Sequence, residues 1–382
     1  TKDLTDAISR IYNEDLVCEI CEVETTTKTS HAFTYSLDPD HLSNYIKLAQ
    51  KINKDEQLKV VHIQHEFGLF GGEYGNHLNH LIRAINKPVV INFHTVLPNP
   101  NNQLKSFVFE FVAQAKHITV MTKHSSDDLH KDYSINKNMI EVISHGTHVN
   151  KWKNKQKLKS DYDLSHSFVL STFGLLGPGK SIETAIKAIP EIVQHIPNLK
   201  YLVMGKTHPN HLQQPKDEYR NYLEELVQQL DIEDHVIFIN RYLRLAELLE
   251  LLQATDIYLF TSKDPNQAIS GTLSYAMSCG CPIIATEVAH SKAVLNEDLG
   301  LLIDIESHQQ LGRAVIELFE NRSLMQKITV NALQKTRHCS WENTAIKHYS
   351  IYHDFIDEID QIGFRRPEIK LDHLQNLTTD FG

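Results

Sequence analysis

Short apolar runs recur along this chain, and longer amphipathic stretches separate them. Ile257–Tyr258–Leu259–Phe260 and Ile283–Ile284–Ala285 are two such runs, and each reads as a buried parallel strand. Further strands are expected at 16–23, 58–63, 88–93, 117–121 and 139–143, then at 168–173, 199–204, 235–239 and 300–303. Helical spacing fills the gaps at 1–13, 40–52, 73–86, 101–115 and 123–132. It does so again at 181–195, 216–230, 244–254, 270–279, 307–320, 323–337 and 341–360. Such alternation predicts an α/β chain whose parallel sheets are covered by helices on both faces.

The alternation breaks once, where Lys151 to Asp161 is polar and basic and reads as part of an interdomain linker at 151–166. Before it, 1–150 forms one doubly wound, Rossmann-like domain; after it, 167–340 forms another, followed by a helix at 341–360 and a tail at 361–382. Two such domains in succession place a ligand in a cleft between the carboxyl edges of their sheets. A nucleic-acid patch is the sharper reading of the basic segment, and the rest of the chain opposes it. Net charge is −10 and the pI is about 6.1, so no nucleic-acid partner is expected.

Composition changes the picture little. Hydrophobic residues make up 41% and charged residues 23%, which fits a globular protein. No run of about 18 apolar residues offers a membrane span, and no secretory signal pattern opens the sequence. Cys18 and Cys21 form a C-x-x-C, but residues three apart on a strand face opposite sides. Reduced, buried cysteines of a cytoplasmic protein are expected instead.

Candidate chemistry gathers at strand ends. Ser270–Gly271–Thr272 opens the helix between the two apolar runs named first; its free N–H groups and positive dipole end suit a diphosphate. The plainer reading is a helix that merely closes a βαβ unit. Gly174, Gly179, Lys180 and Ser181 meet the Walker spacing, yet Pro178 removes one donor from such a cradle. A Lys180 reaching a diphosphate fits better than a true phosphate loop. Arg241 ends a strand, where its fork can hold a phosphate; a surface ion pair is the alternative. His94, His65 and His145 follow strands and can donate to sugar hydroxyls or act as acid or base, although any one of the 23 histidines is more simply a solvated or satisfied one. Gly71–Gly72 before a helix is a second anion or hydroxyl cradle. His62/His65 and His77/His80 are H-x-x-H pairs without a third ligand, so no metal is expected.

These residues together resemble the retaining glycosyltransferases of family 4, the group 1 family with GT-B architecture, over nearly the whole chain. Gly174, Leu176 and Lys180 fit the family's Gly-Arg-Leu-x-x-x-Lys-Gly pattern; Leu175 stands at its diphosphate-binding Arg, and Arg241 is the candidate to replace that charge. Gly177 lies in the same loop. Gln267 and Tyr275 stand at the two Glu positions of the E-x7-E region, which hold the donor sugar and the ribose. A bacterial subgroup has a similar Asp/Asn-Pro-x-Gln-x-x-Ser-Gly-Thr-x-x-Tyr-Ala pattern, here running from Asp264 through Asn266 to Ala276, and a similar Gln-His-Glu-Phe-Gly run, here from Gln64. His94 matches the first-domain His near the reacting carbon, and Trp341–Glu342 the start of the helix that crosses back to the first domain. The family's opening strand and Gly-rich loop have no counterpart here. Arg366–Pro367–Glu368–Ile369, with His373–Leu374 and Leu377–Thr378, resembles a run that leads into a further helical domain. An excerpt of a longer protein is therefore expected.

The resemblance implies a GT-B fold, two Rossmann-like domains facing across a cleft. It implies transfer of a hexose, mannosyl or glucosyl, from a nucleotide-diphosphate sugar to a glycan or lipid-linked acceptor in polysaccharide biosynthesis, with retention and without a metal or other cofactor. A lipid-linked acceptor would bring the protein to a membrane surface. His94, Lys180, Arg241 and Gln267 are then catalytic; Gly174, Gly177, Asn266, Ser270, Gly271, Thr272 and Tyr275 bind the donor; His65, Gly71, Gly72 and His145 serve the acceptor or phosphate side. The competing readings are a sugar-nucleotide epimerase, a phosphorylase, and a non-catalytic sugar-nucleotide or glycan-binding domain.

Overall fold

Every strand pairing is parallel among the residues that this computed structural model describes, namely 1–13, 16–23, 33–149, 151–207, 218–267 and 269–362, with side chains through 357. The tail motif from Arg366 lies outside them. The chain divides into two units: Thr1–Ser144 with the chain from Glu342 onward, and His145–Trp341.

The first unit begins with α1 (Lys2–Tyr12), which buries Leu4, Ala7 and Ile8. β1 (Cys21–Val23) pairs with β2 (Tyr35–Leu37), a short strand the apolar pattern does not announce. Only the end of the expected 16–23 strand is paired, and Cys21 there is exposed rather than buried. After α2 (Leu42–Lys54) comes a sheet in the order β3 (Val61–His65), β4 (Val89–Phe93), β5 (His117–Val120), β6 (Ile140–Val142). α3 (Leu78–Ala84), α4 (Asn102–Val112) and α5 (Lys123–Tyr133) connect these strands.

β3 starts and ends later than expected, so Gln64 and His65 belong to the strand and not to the loop after it. Alternation then sends them to opposite faces. Ile63, Ile91, Phe93, Ile118 and Val120 form one face and pack with Leu48, Leu81, Val108 and Leu129 of the helices. His62, Gln64, Asn92 and Thr119 lie on the other face, which meets α14 (Trp341–Ile362) through Tyr352.

The second unit starts with α6 (Lys155–Asp161), inside the stretch expected to be a linker. Asn154 caps it by accepting from Lys157 N–H at 3.0 Å, and Leu158 is buried. Three of the five lysines at 151–159 are paired: Lys155 and Lys159 hold Asp256 at 2.8 and 2.5 Å, and Lys153 pairs with Glu250. Charge read along the chain suggested solvent; charge partners from distant strands and helices turn it into packing.

Six strands follow, with connecting helices: β7 (Phe168–Phe173), α7 (Ile182–His195), β8 (Leu199–Met204), α8 (Glu218–Gln229), β9 (Val236–Ile239), α9 (Leu245–Ala254), β10 (Ile257–Phe260), α10 (Gly271–Ser278), β11 (Ile283–Thr286), α11 (Ala289–Val294), β12 (Leu301–Ile303), α12 (His308–Glu320) and α13 (Arg322–Thr336). The sheet order is β12-β11-β10-β7-β8-β9. β7, β10 and β11 are buried throughout. Leu170, Leu259 and Ile284 face a core with Ile186 and Leu311, while Val169, Tyr258 and Ile283 face a second core with Leu252 and Leu273. Each fully buried side chain of this kind contributes about 1.5–3 kcal/mol. The strand order reverses between β7 and β10, and a doubly wound sheet opens a crevice at the carboxyl ends of that pair.

Candidate active site

Gly174 leaves β7 at that crevice with φ +129°. Its carbonyl oxygen lies 1.9 Å from where a Cβ on Gly205 would sit, and Gly205, at φ +131°, follows β8. Two glycines thus let neighbouring strand ends touch backbone to backbone. Gly205 is a site residue the sequence reading missed, although a glycine ending an apolar run is a visible signal.

A Cβ on Gly174 would meet Lys180 Cε and Nζ, and Thr272 Cγ2, each at 3.2 Å. Lys180 is therefore folded over Gly174, beside the first turn of α10. Its ammonium has no carboxylate partner among the described residues, and desolvation pushes its pKa down. The loop carrying it is pinned to the end of β10: Thr261 Oγ donates to Lys180 O at 2.7 Å, and Lys263 N–H to Gly179 O at 3.0 Å.

The Walker reading fails on its amides. Gly174 donates to Met204 O, Leu176 to Lys206 O, Lys180 to Gly177 O and Ser181 to Pro178 O. Ser181 is buried at φ +46° with its hydroxyl 2.9 Å from that of Thr184. The open donors are instead at α10. Ser270 caps that helix through Leu273 N–H and holds the Thr272 hydroxyl at 2.9 Å. Gly271 and Thr272 N–H have no acceptor among the described residues. Asn266 is exposed in a turn closed by Asp264. Gln267 Nε2 donates to Ile269 O at 3.2 Å, and the Gln267 backbone carbonyl accepts from His290 N–H at 2.8 Å.

Tyr275 is committed within the protein. Its oxygen accepts from Trp341 Nε1–H at 3.4 Å and lies 3.0 Å from His148 Nε2. His145 stacks edge-on against Trp341, with ring centroids 5.3 Å apart, and a Cβ on Gly271 would be 3.2 Å from its ring. His145 thus joins the α10 end of the site. Gly146 is packed against the Trp341 ring so closely that a Cβ would reach 2.2 Å.

Arg241 stands apart. Both arms of its fork hold Glu247, with Nη1 donating to Oε2 at 2.8 Å, and the pair is largely exposed. The ion pair weighed against the phosphate role is the arrangement present, because Glu247 sits in the first turn of α9.

In the first unit two expectations need correction. His65 is fully buried among Phe67, Phe70, Phe93 and Phe111, where it cannot meet an acceptor. Burial pushes its pKa to about 3, and neither ring nitrogen has a hydrogen-bond partner among the described residues. Gly71 N–H donates to Tyr45 Oη at 3.1 Å, so that amide is not open to an anion or a hydroxyl. Gly71 and Gly72 are both glycines for steric reasons: a Cβ on Gly71 would reach Pro39 O at 2.0 Å, and Gly72 has φ +80°. His94 is half-buried, with Nε2 2.7 Å from Gln64 Oε1.

The profile described as glycosyl transferases group 1 matches residues 150–335, and that described as Glycosyltransferase Family 4 matches 21–151. The D-inositol 3-phosphate glycosyltransferase of Corynebacterium glutamicum is 27% identical over 65% of this chain. The match spans 59% of that relative's length, so the chain covers little more than half of it. A glycosyltransferase from Rickettsia africae superposes with TM-score 0.68 at 18% identity, covering 91% of this chain and 87% of that one. Anabaena HepE in complex with UDP superposes with TM-score 0.67 at 17% identity, covering 82% of each. With two parallel, Rossmann-like units of GT-B type and both profiles matched, this chain belongs to the family 4, group 1 glycosyltransferases.

Proposed function

We propose that this protein transfers a hexose, with retention, from a nucleoside-diphosphate sugar to a glycan or lipid-linked acceptor, without a metal. One observation carries the reading: among the described residues, a partly buried lysine ammonium without a counter-ion lies beside open helix N-terminal amides at the switch point of a doubly wound sheet. A diphosphate supplies the missing negative charge. Charge builds on that leaving group as the glycosidic bond breaks, and Lys180 with the Gly271 and Thr272 amides stabilises it there. Gln267 and Asn266 take the donor sugar. His94 orients the sugar, as the family resemblance implies. Arg241 contributes only if a ligand draws its fork away from Glu247.

The test is nucleotide release from UDP-, GDP- and ADP-sugars, with the anomeric configuration of the product read by NMR. Lys180→Ala should lower turnover about 10²-fold or more, the scale for losing one charge-stabilising donor, and EDTA should leave the rate unchanged. Turnover that survives Lys180→Ala discards the role. Dependence on inorganic phosphate would point to a phosphorylase, and binding without release to a recognition domain.

A further inference from the structure

Gln64 sits on the polar face of the first unit's sheet, in register with Asn92 of β4, which is in register with Thr119 of β5. Thr119 Oγ donates to Asn92 Oδ1 at 2.8 Å, and Asn92 Nδ2 donates to Gln64 Oε1 at 2.8 Å. Thr119 and Asn92 are buried, so water does not compete at that end of the row. Gln64 Oε1 also lies 2.7 Å from His94 Nε2. A carboxamide oxygen only accepts, so the proton in that contact belongs to the histidine. On its other side Gln64 Nε2 lies 3.3 Å from His62 Nε2, and that amide only donates. His62 therefore carries its proton on Nδ1, 2.5 Å from the Tyr352 hydroxyl of α14. Burial keeps His62 neutral, as this pattern requires.

We infer that Gln64 is a positioning residue: it holds a proton on His94 Nε2, so that the neutral ring is the Nε2–H tautomer. The orientation passes from strand to strand by register, and α14 anchors its far end through Tyr352 and His62. The inference deepens the reading of His94 as the sugar-orienting residue and rests on it for its functional meaning. A histidine used to orient a ligand works in one tautomer and fails in the other.

The experiment is a long-range proton–nitrogen NMR spectrum of the intact chain with 15N-labelled histidine rings, the His94 signals being those lost in His94→Ala. The expected wild-type pattern is a protonated Nε2 and a bare Nδ1. Gln64→Leu, which cannot accept, should lose that pattern to a mixture of tautomers. Gln64→Glu, which accepts through its carboxylate, should keep it. A wild-type His94 protonated on Nδ1 overturns the inference whatever the variants do, and so does an unchanged tautomer in folded Gln64→Leu. His94→Ala with unchanged nucleotide release would remove the functional reading alone, because the tautomer is read without substrate.

Discussion

Lys180 and His65 are both removed from water, and what surrounds each decides its meaning. The lysine lies beside helix N-terminal amides, where a fixed positive charge is repelled until an anion arrives. The histidine lies among four phenylalanines, where a neutral ring is tolerated and an imidazolium is not. His65→Phe should therefore leave nucleotide release within about twofold, because replacing an unpaired buried polar group by an apolar one of similar shape is near neutral or stabilising. It should also remove one titrating group. A histidine with an unfolded pKa of about 6.5, held at about 3 when folded, binds its proton mainly in the unfolded state between those values. Its contribution is complete above pH 6.5 and declines by about 1.4 kcal/mol per pH unit below it. Denaturation midpoints of both proteins across that window measure the difference; a large loss of turnover in His65→Phe would reinstate the residue in the site.

At the scale of elements, the site depends on how closely β7 and β8 end. Gly205→Ala would drive a Cβ to 1.9 Å from the Gly174 carbonyl while holding φ at +131°. The side chain cannot yield, so the backbone must, and the Gly174 turn over which Lys180 folds moves with it. The expected result is a stability loss of about 1–3 kcal/mol, the scale for such backbone strain, with a larger fall in turnover than the stability loss explains. Urea denaturation and nucleotide release on the same sample test this, and a variant unchanged in both would show that the contact is slack. The elements themselves were legible where burial is nearly complete: β7, β8, β10 and β11 occupy the runs expected for them, because strands covered on both faces are mostly apolar. β3 was legible as a strand but not in its limits. Its residues alternate between an apolar core and a polar row, so the apolar run stops before the strand does. α6 was hidden because Lys155 and Lys159 look solvated in sequence and meet Asp256 only after folding. The candidate site divides in the same way. Lys180 and Ser270–Thr272, which the fold brings together, stand out in local pattern, whereas the partners of Arg241, Tyr275 and Gln64 lie distant in sequence or across a sheet.

For the whole molecule, buried histidines occur in both units, His290 in the second and a larger group in the first. His65 and His348 are buried and held neutral, at about 3 and about 4, by desolvation; His62 and His117 are shifted the same way. All four belong to the unit made of Thr1–Ser144 and the chain from Glu342. Between pH 6.5 and 4 the unfolded form of that unit binds more protons than the folded form, so its stability falls as pH falls. His65 and His348 alone account for about 3 kcal/mol per pH unit at most. By pH 5 that loss reaches about 4 kcal/mol, close to the low end of the 5–15 kcal/mol that holds a typical domain folded. Both tryptophans, Trp152 and Trp341, lie in the other unit, so their fluorescence reports on that unit directly. Lowering the pH from 7 to 5 should first release amide protection in β3, β4 and β5, read by hydrogen exchange, while the tryptophan emission holds. Loss of protection in β7 and β10 at the same pH would show that the acid sensitivity belongs to the whole chain and not to the histidines of one half. Repeating the titration on His65→Phe decides the cause, since the release should then begin at lower pH.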